Sequence, residues 1–354
     1  MATNKDTENS TPSAPTPADN DIAKLTEVTE QDLAEAIIDE YGAKYSKDGK
    51  RLLKGPCYAS FYNIKKGTEI IGKARTCKFL KGVQILRLDE RLVRLDIDDD
   101  LADAVNPECV IAAGDIHHFN GVTSVNDPLW MTNYELVYSH PELMLDWFAV
   151  CGNHEYRGNT QAVLDYGKVS RRWVMPSKYY TKVYDHKGTS IRLVFLDTTP
   201  LIDKYRETNE KYPDACKEDM QKQLTWLDQT LKGAKEDWVV VVGHHPIYAE
   251  TGKTVNERLD MQKRVMPLLH KYNNVAMYVC GHIHNFQHIQ MKGDNIDYIV
   301  NSSASLARKV KPVEGTVFCS PAEGFSVLTT DKKQLRLSMI DKDGNIIHTV
   351  TKNK

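Results

Sequence analysis

The sequence has no apolar run that approaches the ~20 residues of a membrane-spanning helix. It also has no excess of basic charge, because 46 Lys and Arg stand against 48 Asp and Glu, for a formal net charge of −2. Without a basic field, the charge does not favour nucleic acid as a partner. The composition, 41% hydrophobic and 27% charged, is typical of a globular protein, so we expect neither a membrane span nor a nucleic-acid-binding surface.

The first residues lack the basic stretch followed by an apolar stretch that marks an export signal. They are instead rich in Ser, Thr, Pro and Asn, and this composition predicts a disordered tail over residues 1–25. The seven cysteines form no CxxC pair, which argues against a thiolate metal site. A disulfide between Cys216 and Cys319 is an alternative that the sequence leaves open.

Residues 26–98 have a different sequence pattern from the rest of the chain. A capping-box pattern at Thr29–Asp32, followed by apolar residues at helical spacing up to Tyr41, predicts one short helix. An Asp48-Gly49 pair predicts a β-hairpin. The stretch from Tyr62 to Leu88 alternates strand-like runs with turns, and it resembles a leucine-rich repeat of the kind found in bacterial surface proteins. We therefore predict a short helix and a small β-rich, leucine-rich-repeat-like segment here.

From Pro107 onward, five apolar runs each end in a glycine or a polar cluster. Continuous apolar runs are typical of strands that are buried on both faces. Helical patterns over residues 220–231 and 258–270 lie between these runs. The C-terminal part alternates like antiparallel strands around an Asp343-Gly344 turn. The pattern predicts an α/β fold, built as a layered sandwich, in a domain over residues 99–354.

Four of the predicted strand ends carry a glycine followed by candidate metal ligands: Gly114-Asp115, Gly152-Asn153-His154-Glu155, Gly243-His244-His245-Pro246 and Gly281-His282-Ile283-His284. Glycine lets the backbone turn sharply where a strand ends, so the next side chain can point into a shared cleft. Open α/β sheets bind their ligands at such strand ends. Carboxylate, amide and imidazole donors together suit Zn, Mn or Fe. The pattern therefore predicts a metal site.

Longer stretches around these motifs resemble the calcineurin-like metallophosphoesterases and, more narrowly, the small purple (tartrate-resistant) acid phosphatases. The stretches are GNHEYRGNTQAVLDY, SRRWVMPSKYYTKVY, FLDTT, QLTWLDQTL, GHHPIY and CGHIHNFQHI. The resemblance covers residues 110–351. It implies an α/β/β/α layered sandwich, an exported protein, and an acid-phosphatase-like hydrolase of phosphate monoesters that works by attack of a metal-bound hydroxide.

Carried over position by position, the resemblance implies a centre of two divalent or trivalent metal ions, of Fe, Zn or Mn. Five of its ligands come from the motifs above, and His118, three residues after Asp115, is added to them. The full set is Asp115, His118, Asn153, His244, His282 and His284. Asp115 would bridge the two ions. His118 and His284 would help hold the first ion, and the other three residues would hold the second.

The resemblance also implies a catalytic role for His154, which would contact the phosphate of the substrate and protonate the leaving group as general acid. Asp115 is the other residue assigned to catalysis, through the metals that it bridges. Glu155 or Asp197 would orient the His154 imidazole. The expected partner is a phosphate ester.

The chain departs from the family pattern at two places. His118 stands where the purple phosphatases have a tyrosine ligand. The family also opens with a strand that ends in Asp-x-Gly or Asp-x-His, and the corresponding stretch before Asp115, residues 74–84, contains no Asp. The resemblance thus implies a sandwich that lacks its usual first strand and has one weakened metal site. Three explanations stay open: a fusion or frameshift, a natural variant, and an acid elsewhere that fills the position.

This missing Asp gives rise to an alternative function, that of a degenerate, under-metallated phosphoesterase that acts as a binding protein. Among the other polar residues, His117 and His245 are expected to line the site or to pack, and residues 96–100 to form a solvated acidic turn. Arg308 and Lys309 have two open interpretations: they attract the phosphate, or they are a solvated pair.

Overall fold

The computed structural model describes residues 107–139, 143–186, 188–253, 255–301 and 307–354, together with the backbone of seven strands between residues 37 and 94. The chain divides into two compact units. The first comprises Met1–Lys78 and Ile85–Val93, and the second comprises Phe79–Gln84 and Arg94–Lys354. The predicted tail over residues 1–25 lies outside the described residues, and the predicted domain boundary at residues 98–99 stays a prediction.

The N-terminal strands form one sheet of three strands and one of four. They are β1 (Ile37–Ile38), β2 (Lys44–Tyr45), β3 (Leu52–Lys54), β4 (Ala59–Lys66), β5 (Glu69–Cys77), β6 (Ile85–Leu88) and β7 (Arg91–Arg94). β2 and β3 pair antiparallel on either side of the predicted Asp48-Gly49 turn. β1 pairs with β2, so the predicted helix is wrong at its two isoleucines, whose branched side chains favour a strand. The rest of that helix lies outside the described residues, and the leucine-rich-repeat resemblance stays a prediction.

The second unit contains thirteen of the described strands. They are β8 (Cys109–Ala112), β9 (Asp146–Ala149), β10 (Trp173–Val174), β11 (Tyr180–His186), β12 (Thr189–Phe195), β13 (Trp238–Val242), β14 (Val275–Cys280), β15 (Phe286–Ile289), β16 (Asp297–Val300), β17 (Thr316–Ser320), β18 (Gly324–Thr330), β19 (Gln334–Asp341) and β20 (Ile346–Asn353). Each of the five predicted apolar runs contains one of these strands, which confirms that part of the sequence analysis.

The α-helices described in this unit are α1 (Thr160–Asp165), α2 (Asp203–Glu207), α3 (Met220–Gly233), α4 (Val255–Arg264) and α5 (Met266–Lys271). The unit also has one π-helical turn (Met131–Glu135) and four 3₁₀ turns (Glu155–Arg157, Tyr166–Lys168, Thr199–Leu201 and Ala215–Lys217) among its described residues. The helix predicted over residues 220–231 is α3. The helix predicted over residues 258–270 is two helices that meet at Val265, because proline enters the first turn of α5 and cannot continue α4.

The strands of this unit form three sheets. In the first, β8, β9 and β10 pair parallel. The second has seven strands in the order β11-β12-β13-β14-β16-β15-β17, and β12, β13, β14 and β16 form its parallel centre. The third is the antiparallel meander β18-β19-β20, and its last two strands are joined through the predicted turn, where Gly344 has a positive φ of 83°. This mixture of parallel sheets and helices confirms the predicted α/β class.

One apolar core joins the sheets and α3. All five residues of β13 are buried, as expected for a strand covered on both faces. The rings of Phe148 on β9 and Phe195 on β12 stack at 5.8 Å, so the first two sheets share this core. α3 buries Leu227 and Leu231 on one face, and burial of each side chain contributes roughly 1.5–3 kcal/mol.

The core also fixes where the polar loops emerge, because β8, β9, β13 and β14 each lead directly into one of the four glycine-containing motifs. None of the helices in the described part of the chain has the length and apolar character that a membrane crossing requires. The cysteines considered for a disulfide, Cys216 and Cys319, are both free thiols.

Candidate metal centre

The turn after β8 places the Asp115 carboxylate among several histidines. Gly114 and Asp115 both have positive φ, of 88° and 61°. A Cβ atom on Gly114 would lie 2.7 Å from His244 Nδ1, so only glycine fits this close approach. Asp115 Oδ1 accepts a hydrogen bond from the backbone N–H of His154 at 2.9 Å, and Asp115 Oδ2 lies 3.0 Å from His244 Nε2 and 3.5 Å from His118 Nε2. The turn thus presents one carboxylate oxygen to imidazoles from two loops.

A first group of candidate ligands consists of Asp115, His118 and His284, whose donor atoms all lie within 4.8 Å of one another. His284 also has a positive φ, of 66°, in the short turn between β14 and β15. Its Nδ1 atom is buried and has no hydrogen-bond partner among the described residues. The ring of His118 stacks on that of His154 with the centroids 3.7 Å apart. This group contains one carboxylate and two imidazoles.

A second group consists of His244, His245 and His282, again with donor atoms within 4.8 Å of one another. His244 Nδ1 lies 2.7 Å from the Ala113 carbonyl oxygen, so this nitrogen carries the proton and Nε2 is left with a lone pair. His244 Nε2 lies 3.1 Å from His282 Nδ1. His245, which was predicted to line the site or to pack, forms a hydrogen bond with Thr198 Oγ1 through Nδ1 at 2.8 Å.

Asn153 contributes a further oxygen to this part of the molecule. Its Oδ1 atom is buried and, like His284 Nδ1, has no hydrogen-bond partner in the described part of the chain. A buried acceptor without a partner costs about 1–3 kcal/mol, and a bound cation would remove that cost. Carboxylate, amide and imidazole donors are those that Zn, Mn and Fe accept. The residues present therefore fit a metal centre.

The electrostatics keep Asp115, His282 and His284 in the protonation states that bind metal. His244 differs, because burial lowers its pKa but the interactions with Asp115 outweigh this effect and raise it. Burial alone raises the pKa of Asp115, but its interactions with His244 and His118 outweigh this effect, and the pKa falls well below the usual range. Burial lowers the pKa of His154 to about 4 and that of His284 to about 3, and it lowers that of His282 well below the usual range. Neutral imidazoles and an ionised carboxylate are the forms that coordinate cations.

The Glu155 carboxylate, which is 2% exposed, connects the loops that follow β8 and β9. Its Oε2 accepts the backbone N–H groups of Asp115 at 2.8 Å and Gly152 at 2.7 Å, and its Oε1 accepts that of His117 at 3.0 Å. The sequence analysis offered Glu155 as a group that orients His154. Its carboxylate instead contacts the backbone of the two ligand-bearing loops and the ring of His117, whose Nδ1 lies 3.7 Å from Oε1.

The His154 ring is held by a backbone carbonyl. His154 Nδ1 lies 2.8 Å from the Phe119 oxygen, so Nδ1 donates and Nε2 is the free nitrogen, 3.9 Å from Asp115 Oδ2. Asp197, the other group proposed to orient this ring, accepts a short hydrogen bond from the Tyr156 hydroxyl instead.

Sequence reasoning missed Lys253, which lies in the loop between β13 and α4. Its Nζ atom is 2.9 Å from His282 Nε2 and 2.9 Å from the His282 carbonyl oxygen. Glu257 Oε2 also lies 3.1 Å from His282 Nε2. Burial lowers the pKa of Lys253 to about 8. The motif in this loop ends at Tyr248, five residues before Lys253, so the sequence gives no local signal for this contact.

The buried carboxyl group of Asp197 should make the stability of the protein depend on pH. This residue is 1% exposed, and burial raises its pKa from 3.8 to about 7. Between these two values the unfolded chain releases this proton and the folded chain keeps it, so stability falls as pH rises, by about 1.4 kcal/mol per pH unit. In Asp197→Asn this loss is absent. From pH 5 to pH 7 the free energy of unfolding should fall by roughly 2 kcal/mol more in the wild type than in the variant.

Urea unfolding at the two pH values measures this difference, because the contributions of all other groups cancel between the two proteins. Asp165→Asn is the matched control, since Asp165 lies on the surface beside Lys168 and should change the pH slope little. An Asp197→Asn protein with the wild-type pH slope would contradict the assignment.

The structure therefore brings together five of the six residues predicted as ligands, and the sixth, Asn153, precedes His154, whose backbone N–H donates to Asp115. The assignment of all six as ligands stays a prediction. Comparisons with known proteins agree with the character of the site. The model of the calcineurin-like phosphoesterase family matches residues 87–286, more than half of the chain. Human tartrate-resistant acid phosphatase type 5 is 32% identical over 252 residues, which cover 66% of this chain and 76% of that protein.

Two further relatives bear on the fold and the family. Purple acid phosphatase 3 of Arabidopsis thaliana is 29% identical over 265 residues, which cover 70% of this chain and 69% of that protein. The solved structure of GAP50, described as the anchor in the inner membrane complex of Plasmodium, is 22% identical with a TM-score of 0.63. The match covers 72% of this chain and 81% of that one. At that identity the likeness concerns the fold alone.

Proposed function

The chain belongs to the calcineurin-like phosphoesterase family of phosphoric ester hydrolases, and from this premise we propose that it is a two-metal phosphomonoesterase of the acid-phosphatase type. The observation that carries the proposal is the position of Asp115 Oδ2, 3.0 Å from His244 Nε2 in one donor group and 3.5 Å from His118 Nε2 in the other. A carboxylate in this position suits a bridge between two cations.

In this proposal His118 and His284 hold one ion with Asp115. Asn153, His244 and His282 hold the other. When bound, the two ions would lower the pKa of water and stabilise the charge on the phosphoryl oxygens. The buried acceptors Asn153 Oδ1 and His284 Nδ1 support the assignment, because each lacks a partner among the described residues.

We assign the general acid to His154. As general acid, His154 must carry a proton on both ring nitrogens. The Phe119 carbonyl accepts the proton on Nδ1, so the proton on Nε2, on the side of the Asp115 carboxylate, is the one that the leaving oxygen would take. Because burial lowers the pKa of His154 to about 4, this doubly protonated form is populated at acidic pH. Such a residue contributes typically 10²–10⁴-fold to the rate. The resemblance to purple acid phosphatases also supports export of the protein as part of the proposal.

The alternative is an under-metallated phosphoesterase shell that acts as a binding protein. It is favoured by one observation: the group around Asp115, His118 and His284 contains a single carboxylate, and the sequence lacks the first-motif Asp that the family places there. Three ligands can hold zinc, but a fourth would hold it more tightly. The two functions differ in metal content and turnover.

The test measures hydrolysis of para-nitrophenyl phosphate by the full chain with added Zn, Mn or Fe, alongside elemental analysis. We expect two metals per chain, and a loss of about 10²-fold or more in kcat for His154→Gln. His186→Gln, at an exposed histidine on β11, serves as the control and should keep wild-type turnover. One metal or none, without turnover, would establish the binding protein instead. Full activity in His154→Gln would refute the role of His154.

A further inference from the structure

A cavity of about 270 Å³ lies beside the candidate metal centre. The residues that line it are Thr251, Gly252, Lys253, Ile283, Asn285, Arg308 and Lys309. Three of the seven are cationic, and none of these described lining residues is a carboxylate. Its volume is just below the ~300–1,000 Å³ of typical ligand pockets, so it suits one small group of a ligand.

The cavity shares a wall with the metal centre. His282 and His284 belong to the two donor groups, whereas Ile283 and Asn285, which alternate with them along the chain, line the cavity. Lys253 contacts His282 and also lines the cavity, so it connects the two. A molecule that placed its phosphate at the metals would reach the cavity with its next substituent.

The segment that carries Arg308 and Lys309 is hydrogen-bonded to this wall. The backbone N–H of Arg308 donates to the His284 carbonyl oxygen at 2.8 Å, which ties the position of the loop to a candidate ligand. Three cationic side chains, those of Lys253, Arg308 and Lys309, thus line one cavity. Like charges held together repel one another, and an anion between them removes that repulsion. Both side chains are exposed to solvent, and an anion-binding role for the pair stays a prediction.

We infer that this cavity binds a second anionic group, a carboxylate or a phosphate, on the same molecule as the phosphate that is hydrolysed. The inference rests on the proposed function, because it names the substrate class of that same site. Arg308 presents a planar guanidinium that suits bidentate pairing with a carboxylate or phosphate, and Lys309 adds a second charge. The preferred substrates are thus phosphate monoesters with at least one further anionic group.

Binding of non-hydrolysable analogues tests the inference independently of turnover. Benzylphosphonate carries one anionic group, and its 2-, 3- and 4-carboxy derivatives carry two. With the metal-loaded wild type, we expect at least one carboxy derivative to bind about tenfold more tightly than benzylphosphonate in calorimetric titration. In the Arg308→Gln/Lys309→Gln protein the ratio of the two dissociation constants should fall to near one. Lys311→Gln, an exposed lysine outside the cavity, should keep the wild-type ratio.

Hydrolysis of phenyl phosphate by the same wild-type sample tests the proposed phosphatase function separately from the anion-binding cavity. Turnover without any preference for a carboxy derivative would overturn the inference and leave the proposed function in place. A preference that survives in the double variant would also overturn it. A preference that depends on Arg308 and Lys309, in a sample that turns over no phosphate ester, would overturn the proposed function and leave the anion site.

Discussion

Replacing Asp115 by Asn should reduce phosphatase turnover by about 10³-fold or more while the fold stays intact. The amide oxygen can keep the hydrogen bond from the His154 backbone N–H, which Asp115 Oδ1 now accepts at 2.9 Å. The other side of the amide becomes an NH₂ group where Asp115 Oδ2 lies 3.0 Å from His244 Nε2. An NH₂ group has no lone pair for a metal and no negative charge, so it cannot bridge two cations.

Three measurements check this prediction: kcat/KM for para-nitrophenyl phosphate, metal ions per chain, and the thermal midpoint. We expect loss of at least one metal and a midpoint, measured without metal, close to that of the wild type. Asp165→Asn makes the same chemical change at the surface and should preserve both turnover and metal content. An Asp115→Asn protein with two metals and wild-type turnover would remove the central assumption of the proposed function.

The outline of this site can be predicted from sequence because its determinants are local. A strand that is buried on both faces needs a continuous apolar run, and its end needs a residue that lets the chain turn. The structure shows why Gly114 must be glycine, since a Cβ there would lie 2.8 Å from the Gly152 backbone nitrogen. Parallel strands then bring their carboxyl ends to one edge. Strand ends and glycine motifs thus predicted a metal site at this edge, and the family resemblance then named the six candidate ligands.

The parts that sequence reasoning missed depend on contacts between distant segments. Lys253 reaches His282 across 29 positions of the chain, and no local pattern marks it. The partner of the His154 ring is a backbone carbonyl at Phe119, which any residue type could supply. The helix over residues 258–270 was predicted as one element because its apolar spacing continues through Val265. Only the proline in the first turn of α5 signals the break.

Glu155 is the clearest case of a role set by distant contacts, and Glu155→Gln should lower the free energy of unfolding by about 3–5 kcal/mol. A glutamine can keep one oxygen in the position of Oε2, which accepts the N–H groups of Asp115 and Gly152. Its NH₂ group must then face the His117 N–H, which donates to Oε1 at 3.0 Å. One charge-assisted hydrogen bond, worth roughly 1.5–3 kcal/mol, is lost, and a buried donor is left unpaired at a cost of about 1–3 kcal/mol.

Because these N–H groups belong to the loops that carry Asp115 and Asn153, the same substitution should also weaken metal binding, by roughly 10–100-fold. Chemical unfolding without metal and zinc titration of the folded protein measure the two effects separately. Glu210→Gln, at an exposed glutamate, controls for the change of charge and should alter neither quantity appreciably. If Glu155→Gln unfolded at the wild-type denaturant concentration and bound zinc with wild-type affinity, Glu155 would not hold the two loops together. The position of Asp115 between the two donor groups would then have to come from the glycine turn alone.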